Sequence, residues 1–211
     1  MSAPNHDPDY ARPIRARYVD PLELIWLSTA RRLGLHVRRD ASIFSMTDGT
    51  GLLALGPRAD LDADDTLAQM VFHELCHWIT NGLESFHVRD WGFPLDDDID
   101  LREHACLRLQ AWLADTVGLR HMLAPTGIFR QYSDRVPADP LRPLDGTDWE
   151  ARVVVEARAA IARAQGEPWA APLREALEAT ARLALTLRPF LGEYTTEIED
   201  DRLPSLWARD A

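Results

Sequence analysis

Residues 71–82 read VFHELCHWITNG, and this stretch places two histidines one helical turn apart. His73 and His77 have i, i+4 spacing, which on an α-helix brings their side chains to the same face, roughly 5–6 Å apart. Two imidazoles so placed can bind one metal ion, and Glu74 can then act as general base on a metal-bound water. The stretch therefore predicts a metal site with ligands His73 and His77 and with Glu74 as the catalytic residue. The alternative is a pair of histidines that only pack in the core or face solvent.

The sequence around this motif predicts a helix over residues 62–82. Aspartates near its start favour the positive end of the helix dipole, and Asn81-Gly82 is typical of a helix C-terminus. Apolar residues recur at helical spacing, at Leu67, Met70, Val71 and Leu75. The motif is therefore expected inside a well-formed helix.

The rest of the chain predicts a mostly helical α+β protein with a small sheet before the histidine helix. Further helices are expected over 21–33, 100–118, 148–166 and 168–185, and short strands over 35–39, 42–46 and 51–56. A loop over 83–99 and a proline-rich connection over 119–146 complete the pattern. We expect a flexible leader over 1–19, one metal-binding domain over 20–190 and an acidic tail over 191–211. Leu203, Leu206 and Trp207 of that tail are expected to fold back on the domain, with docking of a partner as the alternative.

Composition limits the classes of partner. The chain has 211 residues and is 46% hydrophobic, enough for one good core. Its net charge of −11 disfavours nucleic acid and anionic membranes as partners. No apolar stretch approaches a membrane span, and the polar, proline-rich N-terminus does not resemble a signal peptide, so we expect a cytoplasmic protein. Cys76 and Cys106 are expected to be small buried thiols, with a zinc ligand or a redox pair as the alternative.

A third protein ligand is expected on the helix after the motif. Metzincin peptidases continue the motif with Gly and His at the positions that here hold Thr80 and Leu83, so that subclass is excluded. Glu103 is the preferred ligand, because a reversing loop between the helices lets them run antiparallel. Its alternative role is a solvated carboxylate in the first turn of a helix. The rival ligands are His104, His87 and Asp100.

The ligand types leave the chemistry open. Two histidines and a carboxylate can hold zinc for hydrolysis, or iron in the arrangement of non-haem oxygenases. The expected cofactor is one divalent metal ion, either Fe, Mn or Zn. His87 and Asp90 are expected to contact the substrate, and a peptidase would need an oxyanion donor, with His87, His104 or Tyr132 as candidates. A metal-bearing structural or regulatory protein without turnover is a third possibility.

Several elements resemble the elongation factor P hydroxylases, bacterial metalloenzymes of the zincin-like superfamily. The resemblance covers about residues 50–180 and rests on elements in that family's order. These are HELCHW at 73–78, Gly82, DWGF at 90–93, Glu103, Gln110-Ala111, Trp112 and the later helix VVVEARAAIARAQGEP at 153–168. The loop between Gly92 and Glu103 is shorter than in the family and acidic, and residues 1–45 have no counterpart.

This resemblance implies a zincin-like fold and a metal-dependent enzyme that hydroxylates the modified lysine of a translation factor. His73, His77 and Glu103 would hold the metal, and the substrate would be a protein or peptide. The site also resembles zinc peptidases of the ImmA/IrrE type, in which Glu74 would be the base. Those peptidases usually carry a small-residue segment after the glutamate, which REHACLRLQAWLAD at 102–115 lacks.

Overall fold

The computed structural model describes residues 13, 15, 16, 18–93, 101–191 and 205–208. Its helices are α1 (Pro21–Arg32), α2 (Leu67–Asn81), α3 (Leu101–Asp115), α4 (Arg130–Ser133), α5 (Asp148–Ala164) and α6 (Ala170–Leu191), and its strands are β1 (His36–Arg39), β2 (Ser45–Thr47) and β3 (Leu52–Leu55). The expected mostly helical α+β class, with a small sheet before the histidine helix, is confirmed. Most of the expected leader and tail lie outside the described residues, as does Asp100.

The three strands form one sheet in the order β1-β3-β2. β1 runs parallel to β3, with Val37 opposite Leu53, and β2 runs antiparallel to it, with Met46 opposite Ala54. The second strand was expected over 42–46 but covers Ser45–Thr47, so it starts three residues later and ends one residue later. Ser42 instead closes a turn, in which its N–H and its hydroxyl donate to Asp40 Oδ1 at 3.0 and 2.6 Å. β2 is therefore a short edge strand.

α2 is the central helix, with 13 of its 15 residues buried. It begins at Leu67 rather than 62, because the Thr66 hydroxyl accepts from the Gln69 N–H at 3.2 Å and so caps the helix there. The preceding aspartates form a turn, closed by Asp65 N–H donating to the Asp62 carbonyl at 3.1 Å. At the other end Gly82 adopts φ +88°, a left-handed conformation that glycine tolerates best.

One buried arginine of α3 forms an ion pair with α5 and binds the long 119–146 connection by hydrogen bonds. Arg108 is fully buried, and its Nη2 donates to Glu150 Oε2 of α5 at 2.5 Å. Its Nε donates to the Tyr132 hydroxyl at 2.8 Å, and its Nη1 donates to the carbonyls of Pro140 and Arg142 at 2.6 and 2.9 Å. The expected irregular connection is thus held through its backbone by one side chain of the helix that carries Glu103.

The terminal helices close the core around α2. Trp26 of α1 donates its indole N–H to the Thr180 hydroxyl of α6 at 3.2 Å. α6 continues to Leu191, beyond the expected end at 185. Leu206 and Trp207 pack against the hydrophobic core, as expected for this part of the tail. Within the described ranges, no helix is both long enough and apolar enough to cross a membrane.

Candidate metal centre

α2 and α3 bring the three expected ligands together. His77 Nε2 lies 2.9 Å from Glu103 Oε2, and His73 Nε2 lies 3.5 Å from Glu103 Oε1. The two imidazole rings are 4.3 Å apart between centroids. The side chains of His73 and Glu103 are each 8% exposed and that of His77 is 12% exposed. The two helices therefore enclose a small cluster of one carboxylate and two imidazoles.

Gln110 fixes the orientation of the first histidine. Its amide Nε2 donates to the Leu123 carbonyl at 2.8 Å, so its Oε1 is the atom that faces His73 Nδ1 at 2.9 Å. A carbonyl oxygen accepts, so Nδ1 carries the proton and Nε2 presents its lone pair towards Glu103. Gln110 follows Glu103 by two helical turns on α3. That i, i+7 spacing is the sequence signal for this partner, which residue-type reasoning missed.

Three buried atoms at the centre have no hydrogen-bond partner among the described residues. They are His73 Nε2, His77 Nε2 and Glu103 Oε1. When His77 is protonated, its Nε2 forms an ion pair with Glu103 Oε2 at 2.9 Å. Leaving a buried polar atom unsatisfied costs about 1–3 kcal/mol, and a divalent cation would satisfy all three at once. The residues present therefore fit a metal ion bound by two nitrogens and a carboxylate.

Cys106 adjoins this cluster. Ligand atoms of His73, His77, Glu103 and Cys106 all lie within 4.8 Å of one another. However, Cys106 Sγ is 4.0 Å from His73 Nδ1 and 3.9 Å from the His73 carbonyl, which is the side of the ring that Gln110 occupies. Burial raises the pKa of the Cys106 thiol well above its ordinary value. Both Cys76 and Cys106 are free, buried thiols, as expected. Cys106 contacts His73 on the Nδ1 side of its ring.

The three ionisable side chains of the cluster, His73, His77 and Glu103, differ in their protonation at neutral pH. Burial and the neighbouring His77 lower the pKa of His73. Burial by itself would also lower the pKa of His77, but the negative charges of Glu103 and Glu74 outweigh it and raise that pKa to about 8. Burial would raise the pKa of Glu103, but the charge of His77 outweighs it and lowers that pKa to about 2. At neutral pH the cluster therefore holds a neutral His73, a protonated His77 and an ionised Glu103.

The carboxylate of Glu74 is held at both oxygens. The Trp91 indole N–H donates to Glu74 Oε2 at 2.8 Å, and the Ser45 hydroxyl donates to Oε1. Glu74 Oε2 also lies 3.8 Å from His77 Nδ1. The predicted catalytic residue is therefore beside the cluster, and two elements distant in sequence fix it. No sequence signal marks Ser45, whereas Trp91 lies in the DWGF element.

A left-handed turn aims Trp91 at the site. Asp90 has φ 49° and ψ 34°, and Trp91 has φ 55° and ψ 14°, conformations that cost non-glycine residues roughly 1–2 kcal/mol each. The Thr47 N–H donates to Asp90 Oδ1 at 3.0 Å, and Asn81 Nδ2 donates to the Trp91 carbonyl at 2.7 Å. Asp90, expected to contact substrate, thus ties this turn to the edge strand β2.

The other expected site residues lie apart from the cluster. His87 is exposed, and its ring packs edge-on against Phe86 at 5.2 Å between centroids. His104 stacks on Tyr132 at 3.7 Å and accepts from the Trp149 indole N–H at 3.4 Å. Neither of these two rival ligands belongs to the potential metal-binding group of the described residues, whereas Glu103 does. The third rival, Asp100, lies outside the described residues.

Two phenylalanines form the walls of the centre. Phe93 stacks on His77 with 4.3 Å between ring centroids, and Phe129 lies 5.8 Å from His73. Both phenylalanines are half-buried, so their free parts face outward. Their rings cover the parts of the two histidines that they contact.

Comparison with protein-family models, with characterised proteins and with solved structures gives no match. The site is therefore described by its own geometry. It is a buried His-His-Glu cluster able to bind a metal ion, with a fixed second carboxylate beside it and two phenylalanine rings against its histidines.

Proposed function

We propose that this protein is a metal-dependent enzyme that uses one divalent ion held by His73, His77 and Glu103. The observation that carries this proposal is the convergence of three buried ligand atoms that have no hydrogen-bond partner in the described structure. A structural pair of histidines would satisfy these atoms with protein groups. Gln110 also holds His73 in the tautomer that a metal at Nε2 requires.

We further propose that the reaction is hydroxylation of a protein side chain. A peptidase would need a donor for the oxyanion, and each expected donor is engaged or placed elsewhere. The Tyr132 hydroxyl donates to Glu150 at 3.0 Å and accepts from Arg108. His104 is stacked on Tyr132, and His87 is exposed at the surface. Within the described residues, these three candidates leave the cluster without such a donor.

The edge strand β2 also favours hydroxylation over peptide cleavage. An extended peptide could be held for cleavage by adding a strand to the sheet edge beside the site. The Thr47 N–H of β2 is instead bonded to Asp90, so the Arg89–Gly92 turn covers that part of the edge. A protruding side chain can enter between Phe93 and Phe129 without strand pairing.

In the proposed reaction a bound metal supplies open positions for O₂ and substrate. One oxygen atom replaces the hydrogen of a substrate C–H bond as C–OH, and the other leaves as water, with two electrons and two protons from an external reductant. Glu74, held by Ser45 and Trp91, fixes the polar side of the centre. Phe93 and Phe129 exclude water.

The substrate class follows from charge and from the family resemblance. The net charge of −11 attracts a basic partner, and the aromatic walls suit the alkyl chain and ammonium of a lysine-type side chain. We propose the modified lysine of elongation factor P as the substrate, which implies a cytoplasmic site of action. Zinc peptidase activity is the second candidate, favoured by Glu74 lying beside both histidines as a general base would.

The experiment purifies the protein anaerobically and measures its bound metal. Iron-loaded protein is then mixed with O₂, a two-electron reductant and elongation factor P carrying its modified lysine. We expect an O₂-dependent gain of one oxygen atom by mass spectrometry, lost in His73→Ala and retained in the control His104→Ala. Equimolar zinc together with peptide cleavage that Glu74→Gln abolishes would establish the peptidase instead.

A further inference from the structure

Three tryptophans form a continuous aromatic array that begins at the metal centre. Trp91, whose indole N–H is bonded to Glu74, stacks on Trp78 with 5.7 Å between centroids and 11° between ring planes. Trp78 in turn meets Trp169 edge-on at 5.2 Å. All three rings are buried. Trp169 follows the exposed residues 165–167 and the half-buried Pro168, so the array leads from the cluster to just beneath the surface.

Packing alone does not account for the indoles of the central Trp78 and the terminal Trp169. Trp78 Nε1 and Trp169 Nε1 are buried without a hydrogen-bond partner among the described residues, and each such orphaned donor opposes folding. A phenylalanine at either position would avoid that cost, although its smaller ring would leave a cavity. By contrast, Trp26 lies elsewhere in the core and satisfies its N–H with Thr180. The indole rings of the array therefore have a role beyond volume.

That role follows from what distinguishes indole from benzene. Indole loses one electron far more readily than a phenylalanine ring, and electron transfer slows exponentially with the gap between donor and acceptor. Rings in van der Waals contact therefore exchange electrons readily. We propose that Trp91, Trp78 and Trp169 are a one-electron relay between the metal centre and the protein surface. This inference rests on the proposed oxygenase function, because it needs an oxidant at the cluster.

Each passage of the relay is balanced. Hydrogen peroxide at the cluster takes one electron from Trp91 in each of two passages and, with two protons from solvent, leaves as two water molecules. In each passage the Nε1 proton of Trp91 moves along its hydrogen bond to Glu74 Oε2, and it returns when an electron from Trp78 restores Trp91. Trp169 then reduces Trp78, and a one-electron reductant such as a thiol or ascorbate, docked at the surface above the buried Trp169 ring, reduces Trp169. The net result of each passage is one electron gained by the peroxide at the cluster and one lost by the external reductant.

The relay would protect the site when no substrate is bound. An oxidant without a C–H bond to attack would otherwise damage its nearest neighbours, which are His73, His77 and Phe93. The relay moves that oxidising equivalent to the surface, where a soluble reductant removes it. A hydrolytic zinc site would have no such need, so the array and the oxygenase proposal support each other.

The test uses the full-length protein loaded anaerobically with Fe²⁺ and mixed with hydrogen peroxide in the absence of protein substrate. Freeze-quenched samples are examined by electron paramagnetic resonance for a tryptophan radical, and peptide mass spectrometry locates oxidised tryptophans. We expect a tryptophan radical and oxidation of Trp169 in the wild type. In Trp78→Phe, oxidation of Trp169 should fall to the level of Trp26, and oxidation of His77 and Phe93 should rise.

Three controls keep the outcome decisive. Trp26→Phe removes a buried tryptophan outside the array and should leave the radical and Trp169 oxidation unchanged. His73→Ala removes the bound iron and should abolish Trp169 oxidation, which excludes damage by free peroxide. If Trp78→Phe unfolds, Trp169→Phe serves in its place, and the radical should then persist longer because its last reduction step is lost.

The relay is overturned if Trp169 is oxidised equally in the wild type and in Trp78→Phe, or no more than Trp26 in the wild type. Substrate hydroxylation with either of these results would overturn the relay alone. A working relay without hydroxylation of elongation factor P would overturn only the proposed reaction. Failure of iron to bind at the cluster, shown by metal analysis, would overturn both.

Discussion

Gln110 Oε1 lies 2.9 Å from His73 Nδ1, and the amide nitrogen of the same side chain is bonded to the Leu123 carbonyl. This pair of bonds decides which nitrogen of His73 is available to a metal. A neutral amide plays the part that a carboxylate commonly plays behind a metal-bound histidine. The His73 imidazole therefore receives orientation from Gln110 without an added negative charge.

Gln110→Ala should weaken metal binding by about 10–100-fold, the range typical of lost outer-shell partners. The His73 ring would lose the bond that sets its tautomer. Gln110→Glu retains an acceptor for His73 but turns an oxygen towards the Leu123 carbonyl, so it should restore affinity while lowering the melting temperature. Competition with a chelator measures the affinity. Equal affinity in Gln110→Ala and the wild type would show that Gln110 is not an orienting partner.

The third ligand is tested by two neighbouring substitutions on α3. Glu103→Ala should reduce metal affinity by more than the roughly 100-fold limit of outer-shell effects, because it removes a direct ligand. Cys106→Ala should leave the affinity within a few-fold, since Cys106 contacts the Nδ1 side of His73. Metal stoichiometry after dialysis provides the measurement. The opposite ranking would identify a His-His-Cys site.

Metal affinity should rise with pH and level off near the pKa of His77. A bound metal needs the neutral imidazole, and in the metal-free protein the pKa of His77 is raised to about 8. The lowered pKa of His73 and the pKa of about 2 for Glu103 leave those two ligands deprotonated at neutral pH. Calorimetry in buffers of different ionisation enthalpy should therefore detect about one proton released at pH 7 and none at pH 9. Two protons released at pH 7 would contradict this assignment.

The same shifts set the stability of the metal-free protein. The raised pKa of His77 stabilises the fold below its ordinary value of 6.5, and this contribution is lost as pH rises through about 8. The lowered pKa of Glu103 stabilises the fold above its ordinary value of 4.5, and that contribution is lost as pH falls towards about 2. The contribution of the pair is therefore greatest between pH 4.5 and 6.5. His77→Gln should remove this maximum from the plot of unfolding free energy against pH, measured by urea denaturation at each pH.

Two substitutions of Asp90 distinguish a structural role of this residue from contact with the substrate. Asp90→Ala should lower the unfolding free energy by about 1–3 kcal/mol, because the Thr47 N–H loses its acceptor and alanine tolerates the left-handed conformation poorly. Asp90→Asn keeps both an acceptor and that tolerance, so it should change stability by less than about 1 kcal/mol. Urea denaturation checks both. A raised KM in Asp90→Asn at unchanged stability would restore Asp90 as a substrate contact.

Arg108 lies on α3, the helix that carries Glu103, and forms a buried ion pair with Glu150 of α5. Arg108→Met should lower the unfolding free energy by about 3–5 kcal/mol, because Glu150 would remain buried without its partner. The matched control is Arg158→Met, an exposed arginine on α5, expected within about 0.5 kcal/mol of the wild type. If both variants unfold at the same urea concentration, the ion pair contributes no net stability.

The sequence determined the features that depend on local periodicity. The i, i+4 spacing of His73 and His77 places them on one face of α2 whatever surrounds the helix, and the mostly helical class follows from repeating apolar positions. The starts of α1 at Pro21 and of α5 at Asp148 were also predicted, whereas the start of α2 was not. α2 begins at Leu67 rather than 62, because the cap at Thr66 competes with favourable aspartates upstream.

Only the tertiary structure decided what surrounds the histidines. The sequence preferred Glu103 and kept His104 as a rival, and the packing of α3 turns the Glu103 side chain towards α2 and that of His104 towards Tyr132. Ser45 and Trp91 reach Glu74 across 29 and 17 residues of chain, and no local pattern encodes such pairs. Sequence periodicity fixes the face of a helix, whereas the partner that this face meets depends on long-range packing, and so does the chemistry of the site.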